Sequence, residues 1–156
     1  MGNGANFILV LFSIITILLK NCGYKALSNL ETNNYNFTNI SLEGDRRVGQ
    51  IIKQELMVNS NKESKNNFDI ILKVNKQKKI KDKDIKGVIK DYSITITVEL
   101  TFKDKEKIIS KTIRRSLDYE TTGIHSTTLV RERKITQRVA TAVSKGIERY
   151  FEIYLR

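Results

Sequence analysis

The chain has 156 residues, 28 Lys and Arg against 17 Asp and Glu for a formal net charge of +11, and one cysteine. A single thiol excludes an internal disulfide framework, and the length is sufficient for one domain to bury a core without metals or bridges. The positive charge favours anionic partners and opposes nonspecific self-association, although the same composition also describes a solvated Lys-rich surface.

The apolar run Phe7 to Leu19 contains 13 residues, about 20 Å as a helix against roughly 30 Å of bilayer hydrocarbon. It is short for a membrane span and falls within the length of a signal-peptide apolar region. Cys22 stands at its C-terminal edge, separated from Leu19 by Lys20 and Asn21, an arrangement that looks like a bacterial lipoprotein signal over residues 1–21, with the Cys22 thiol acylated and Cys22 as the new N-terminus. Met1 to Asn6 carries no Lys or Arg, and Lys20 and Asn21 stand where small residues are usual. An uncleaved anchor helix ending near Lys20 is the alternative. Of the 28 basic residues only Lys20 precedes Cys22, which leaves 27 against 17 acidic, or +10, on the remaining 135 residues. Residues 22–34 lack an apolar period and read as a tether to a single domain over 35–156.

Tyr35, Phe37 and Ile40 to Leu42 predict a short first strand, broken by Glu43-Gly44-Asp45. Val48, Ile51, Ile52 and Leu56 then share one helical face, which predicts a helix over 45–58 with Asp45 or Ser41 as its cap. Asn59 to Asn67 has nothing to bury and reads as a solvated loop. Phe68, Ile70, Leu72 and Val74 alternate at a period of two and mark a second strand. The Lys-rich stretch Lys76 to Lys86 is expected to be a mobile hairpin tip, with Gly87 at a turn.

Ile94, Ile96, Val98, Leu100 and Phe102 line one face of the clearest strand, opposite Ser93, Thr95, Thr97, Glu99 and Thr101. The polar connection Lys103 to Lys107 predicts an antiparallel partner over 108–120. There Ile109, Lys111, Ile113, Arg115, Leu117 and Tyr119 share parity, so Lys111 and Arg115 either mark an edge or extend their stems past the core. Thr112, Arg114 and Ser116 lie opposite. After a loop, with Ser126 or Thr127 as cap, Ile135, Val139, Ala142, Val143, Ile147, Tyr150, Phe151 and Tyr154 recur at three and four. The expected fold is α+β, a two-layer sandwich of three to four mostly antiparallel strands against two helices, in the order β-α-β-β-β-α.

Catalytic chemistry finds little support. His125 is the only histidine, reads as a loop residue, and has no metal-ligand spacing around it. No phosphate-cradling Gly-rich loop or nucleophile elbow is present, so no enzyme activity, catalytic residue, metal or cofactor is expected. Nucleic acid is not an expected partner, because Phe68, Phe102, Tyr150 and Phe151 occupy apolar faces and not a basic strand face. Lys111, Arg114 and Arg115 form a cluster able to bind phosphates through charge-assisted hydrogen bonds, or else a solvated strand face paired with Glu99.

Cys22-Gly23-Tyr24 after an apolar leader, the helix motif Arg47-x-Gly49-Gln50-x-Ile52, the strand Arg114-Arg115-Ser116-Leu117-Asp118-Tyr119, and the helix opening Glu132-Arg133-Lys134-x-x-x-Arg138-Val139-Ala140 follow one another in a familiar order. Together they resemble LptE, the lipopolysaccharide-assembly lipoprotein family of Gram-negative outer membranes, over nearly the whole chain after Cys22. The resemblance implies a noncatalytic protein, lipid-anchored through Cys22 on the periplasmic side of the outer membrane. It also implies a plug in an LptD-like β-barrel that assists barrel assembly and contacts lipopolysaccharide. Lys111, Arg114 and Arg115 are the candidate lipopolysaccharide contacts, chosen for their clustering. A general periplasmic lipoprotein or envelope-complex scaffold, or a basic domain docking on an anionic membrane surface, are the alternatives.

Overall fold

The computed structural model describes residues 33–156. The signal over 1–21, Cys22 and the tether up to residue 32 lie outside the described residues. Strand β1 (Asn36–Gly44) starts beside Asn33, whose side-chain amide donates to the Asn59 carbonyl at 2.6 Å. Phe37 and Ile40 are both buried although they differ in parity, because a register irregularity between Phe37 and Asn39 resets the alternation. Helix α1 (Arg46–Val58) is capped by Asp45, whose Oδ1 accepts from the Val48 N–H at 3.0 Å; of the two expected caps, Asp45 fills the role. It buries Val48, Ile52 and Leu56 and provides the crossover that a parallel pair needs.

Strand β2 (Asn67–Lys83) departs from expectation, since it continues through the lysine run instead of ending in a mobile tip. The reason is that alternation persists. Beyond Val74 the core-side positions are Lys76, Lys78 and Ile80, paired across the ladder with Ile96, Ile94 and Tyr92. The lysine stems cover apolar surface while their ammonium groups reach a carboxylate on the last helix, Glu132. The hairpin turn is confined to Asp84–Val88, where Gly87 has φ +80° and donates its N–H to the Asp84 carbonyl at 2.9 Å.

Strand β3 (Ile89–Asp104) carries the predicted alternation, with Ile94, Ile96, Val98, Leu100 and Phe102 all buried. A tight turn with Lys105 at φ 55° leads into β4 (Lys107–Glu120). Helix α2 (His125–Tyr154) begins earlier than expected, so Ser126 and Thr127 lie inside its first turn and neither caps it. The cap position is Ile124, which offers no side-chain acceptor, so no side chain caps the first turn; the Ile124 carbonyl accepts the Thr128 N–H and the Thr122 and Thr128 hydroxyls, each at 3.1 Å. His125 is therefore the first helical residue, exposed, and not a loop residue.

The sheet order is β1-β2-β3-β4, with β1 parallel to β2 and the other pairs antiparallel. Both helices cover one face, which gives the expected two-layer α+β sandwich and leaves β1 and β4 as edges. The other face is open and rich in hydroxyls. There Ser116 Oγ lies 3.0 Å from both Ser93 Oγ and Thr95 Oγ1. Among the described residues no helix is long and apolar enough to cross a membrane.

Candidate functional site

The predicted cationic cluster lies on the β4 edge, and its three members do not share a face. Successive strand residues point to opposite sides, so Lys111 and Arg115 project on the helix-covered face opposite Leu100 and Ile96, while Arg114 projects on the open face opposite Thr97. All three are exposed. Lys111 Nζ sits 5.9 Å from the centre of the Tyr150 ring, within reach of a cation–π contact. Arg115 lies over Gly146, where an added Cβ would stand 3.5 Å from its Nη2 and 3.1 Å from Ile113 Cγ2. The missing side chain lets α2 approach the edge strand closely and gives the guanidinium a seat. Glu99 does not pair with this cluster. It faces Thr112 across the ladder and pairs with Lys73 on the other side, at 3.4 Å.

Every ion pair among the described residues is made by a lysine: Lys73 with Glu99, Lys76 and Lys78 with Glu132, and Lys81 with Asp118. The described arginines thus keep their forked donors free of carboxylates, the geometry that suits phosphate or external carboxylate. A cleft of about 310 Å³ is lined by Arg47 of α1, Lys76 of β2 and Arg133 of α2, with Asp45 and Glu132 also in its wall. Asp45 is engaged as the helix cap and Glu132 in ion pairs. Nothing in local sequence announces that Arg47 and Arg133, far apart in the chain, line one cleft. A helical face including Lys134, Arg138 and Lys145 extends the cationic surface along α2.

Glu132 is the centre of a second feature that sequence reasoning missed. Its Oε2 accepts from Lys78 Nζ at 2.7 Å and from the Tyr119 hydroxyl at 3.2 Å, and Lys76 Nζ stands 3.7 Å from Oε1. Lys78 also lies 4.0 Å over the Tyr92 ring, which stacks on Tyr119 at 5.7 Å. Burial alone would raise the Glu132 carboxyl, but the hydrogen bonds and charge of Lys78 outweigh it and hold the group below its usual range. Burial likewise works to lower the Lys78 ammonium, and its hydrogen bonds to Glu132 and Tyr119 reverse that and raise it. The network has the charge pairing of a structural tie between β2 and α2. No group of three or more His, Cys, Asp or Glu side chains among the described residues is arranged to hold a metal.

No family model matches the sequence, and a search of curated proteins finds no match. Solved structures do share the fold. The rare lipoprotein B from Shewanella oneidensis superposes with a TM-score of 0.58 at 12% identity, over 75% of this chain and 98% of that one. Lipoprotein B from Nitrosomonas europaea gives a TM-score of 0.53 at 11% identity, over 75% and 84%. A minor lipoprotein from Acinetobacter baumannii gives 0.50 at 16%, over 75% and 91%. At these identities the likeness is one of fold.

Proposed function

We propose that this protein is an envelope lipoprotein of the LptE type, acylated at Cys22 on the periplasmic side of the outer membrane. It plugs an LptD-like β-barrel, assists its assembly, and contacts lipopolysaccharide. The observation that carries this reading is the shared fold, which extends over 98% of the rare lipoprotein B chain, taken with a cysteine placed at the C-terminal edge of an apolar leader. Two physical features support it. The open sheet face is lined with Ser and Thr hydroxyls, suited to the polar lumen of a barrel. The arginines are free of ion pairs among the described residues, so a polyanion meets donors that need not first be released from carboxylates.

Lys111, Arg114 and Arg115 remain the proposed lipopolysaccharide contacts, and their division between two faces makes the proposal sharper. Changing all three to Glu is expected to weaken binding to purified lipopolysaccharide by about tenfold or more, roughly 1.4 kcal/mol or above, with the unfolding midpoint unchanged. Arg114→Glu alone tests the open face, and the pair Lys111→Glu and Arg115→Glu tests the helical rim. Unchanged affinity in the triple variant would remove these residues from the site.

A further inference from the structure

The helix layer carries an excess of basic charge that is concentrated along one path. Arg47, Lys76 and Arg133 line the cleft of about 310 Å³, together with Asp45 and Glu132. Gln137 belongs both to this cleft and to a shallower groove along α2 that is lined by Arg138, Thr141 and Lys145. Three acids stand on or beside the path, and each is already engaged. Asp45 caps α1, Glu132 holds Lys76 and Lys78, and Glu55 accepts from the Thr141 hydroxyl at 3.3 Å. Against them stand Arg47, Lys76, Arg133, Arg138 and Lys145, so two positive charges remain in excess with every one of these carboxylates counted. Lys134 adds nothing to the excess, because it also borders Asp91, Asp118 and Glu120 in a neighbouring cleft.

The spacing of these groups selects among anions. Arg133 and Arg138 are about 7.5 Å apart along the helix axis, and Lys145 lies about 10.5 Å further on. Side chains on one face of an extended chain recur at about 6.8 Å. Single charges at such intervals match carboxylates carried on separate residues of an extended segment. A cluster of phosphates would instead bring its charge to one place, where Asp45 and Glu132 stand in the wall and repel it. A side-chain carboxylate carries one charge and matches the guanidinium fork. Its apolar neighbours have Ile51 and Leu129 to lie against, and the Gln137 amide can bond main chain. Arg47, Arg133 and Arg138 are exposed and make no ion pair among the described residues.

We infer that this groove across the helix layer is the docking surface for an acidic, extended segment of a partner protein, with Arg47, Arg133 and Arg138 taking its carboxylates and Lys145 ending the row. The source of the segment, the inner wall or a loop of the barrel, rests on the barrel reading above. A plug presents both of its layers to the wall around it. The open hydroxyl face then meets the neutral polar part of the lumen, and the helix layer meets an acidic part.

The test titrates full-length protein into a fluorescein-labelled peptide of alternating Glu and Ser, with a Gln and Ser peptide as the neutral control. Saturable binding of the Glu peptide alone is expected, weakened about tenfold or more by R47E, R133E and R138E together, with the unfolding midpoint unchanged. The neutral set R47Q, R133Q and R138Q should weaken it less. K62E, K79E and K103E reverse three exposed lysines away from the groove and change net charge equally; they should leave the affinity within about twofold, because separated surface charges are screened. In solubilised envelopes of the host, the barrel should be recovered with the unaltered chain and not with R47E, R133E and R138E, while that variant still binds purified lipopolysaccharide. No binding of the Glu peptide, an equal loss in both reversal sets, or barrel recovery indifferent to the groove reversal would overturn the assignment. Peptide binding in the groove with no barrel recovered by the unaltered chain would refute the barrel reading and leave the acidic docking surface standing.

Discussion

Phe151→Ala is expected to lower the unfolding free energy by about 3–5 kcal/mol, the range for emptying a buried aromatic site. Phe151 is fully buried, and its ring centre lies 5.6, 4.9, 5.0 and 4.9 Å from those of Tyr35, Phe37, Phe68 and Phe102. These partners come from the start of β1, the start of β2 and the end of β3, so one side chain of α2 ties three strands together at one end of the sandwich. The surrounding rings are rigid and cannot collapse fully into the space left behind, which places the cost toward the upper part of the range. Denaturant unfolding of the full chain checks it, with Phe151→Leu retaining most of the lost stability. A cost below about 0.5 kcal/mol, the usual size of a surface change, would mean that this cluster does not hold the layers together.

Gly44→Ala is the second large effect, and its origin is backbone geometry. Gly44 has φ +81°, and a Cβ there would stand 2.2 Å from the Val74 carbonyl oxygen, an overlap with main chain that no rotamer relieves. That same carbonyl accepts the Asp45 N–H at 2.9 Å, the contact that ends the β1–β2 ladder and sets the start of α1. Moving it away therefore loosens the parallel pair and the helix cap together. Gly87 provides the comparison, because it shares φ +80° but has open space where its Cβ would go. Gly87→Ala should cost only the left-handed backbone penalty of about 1–2 kcal/mol, whereas Gly44→Ala should exceed it clearly. Equal unfolding midpoints for the two variants would show that the close approach to Val74 is not a constraint.

The alternating strands were legible because each core residue on β3, Ile94 through Phe102, is apolar and each neighbour is polar or charged. The face of α2 was legible for the same reason, with Val139, Val143, Ile147 and Phe151 buried at helical spacing. The distal half of β2 was not, because its core-side positions are Lys76 and Lys78. A lysine at such a position reads as solvent unless its acceptor, Glu132, more than fifty residues later, is known to lie above it. The start of α2 was not legible because Ser126 and Thr127 are good caps in isolation, while the observed cap position is Ile124, which has no capping side chain.

The site was legible in part. Proximity in sequence put Lys111, Arg114 and Arg115 in one region, and strand alternation placed one of them across the sheet from the other two. That Arg47 and Arg133 line one cleft depends on how two helices lie side by side, which no local pattern encodes. Glu99 pairs with Lys73 and not with the arginines because the sheet offers it a strand on each side, and the lysine lies directly opposite it on β2.

The central proposal, a lipid-anchored plug of a lipopolysaccharide translocon, is tested most directly by affinity isolation of the full-length protein from solubilised envelopes of its native host, with mass spectrometry of what stays bound. A stoichiometric outer-membrane β-barrel of the translocon type, together with an acylated N-terminal peptide beginning at Cys22, is the predicted result. Recovery of the protein without a barrel, with residues 1–21 still attached, would contradict it.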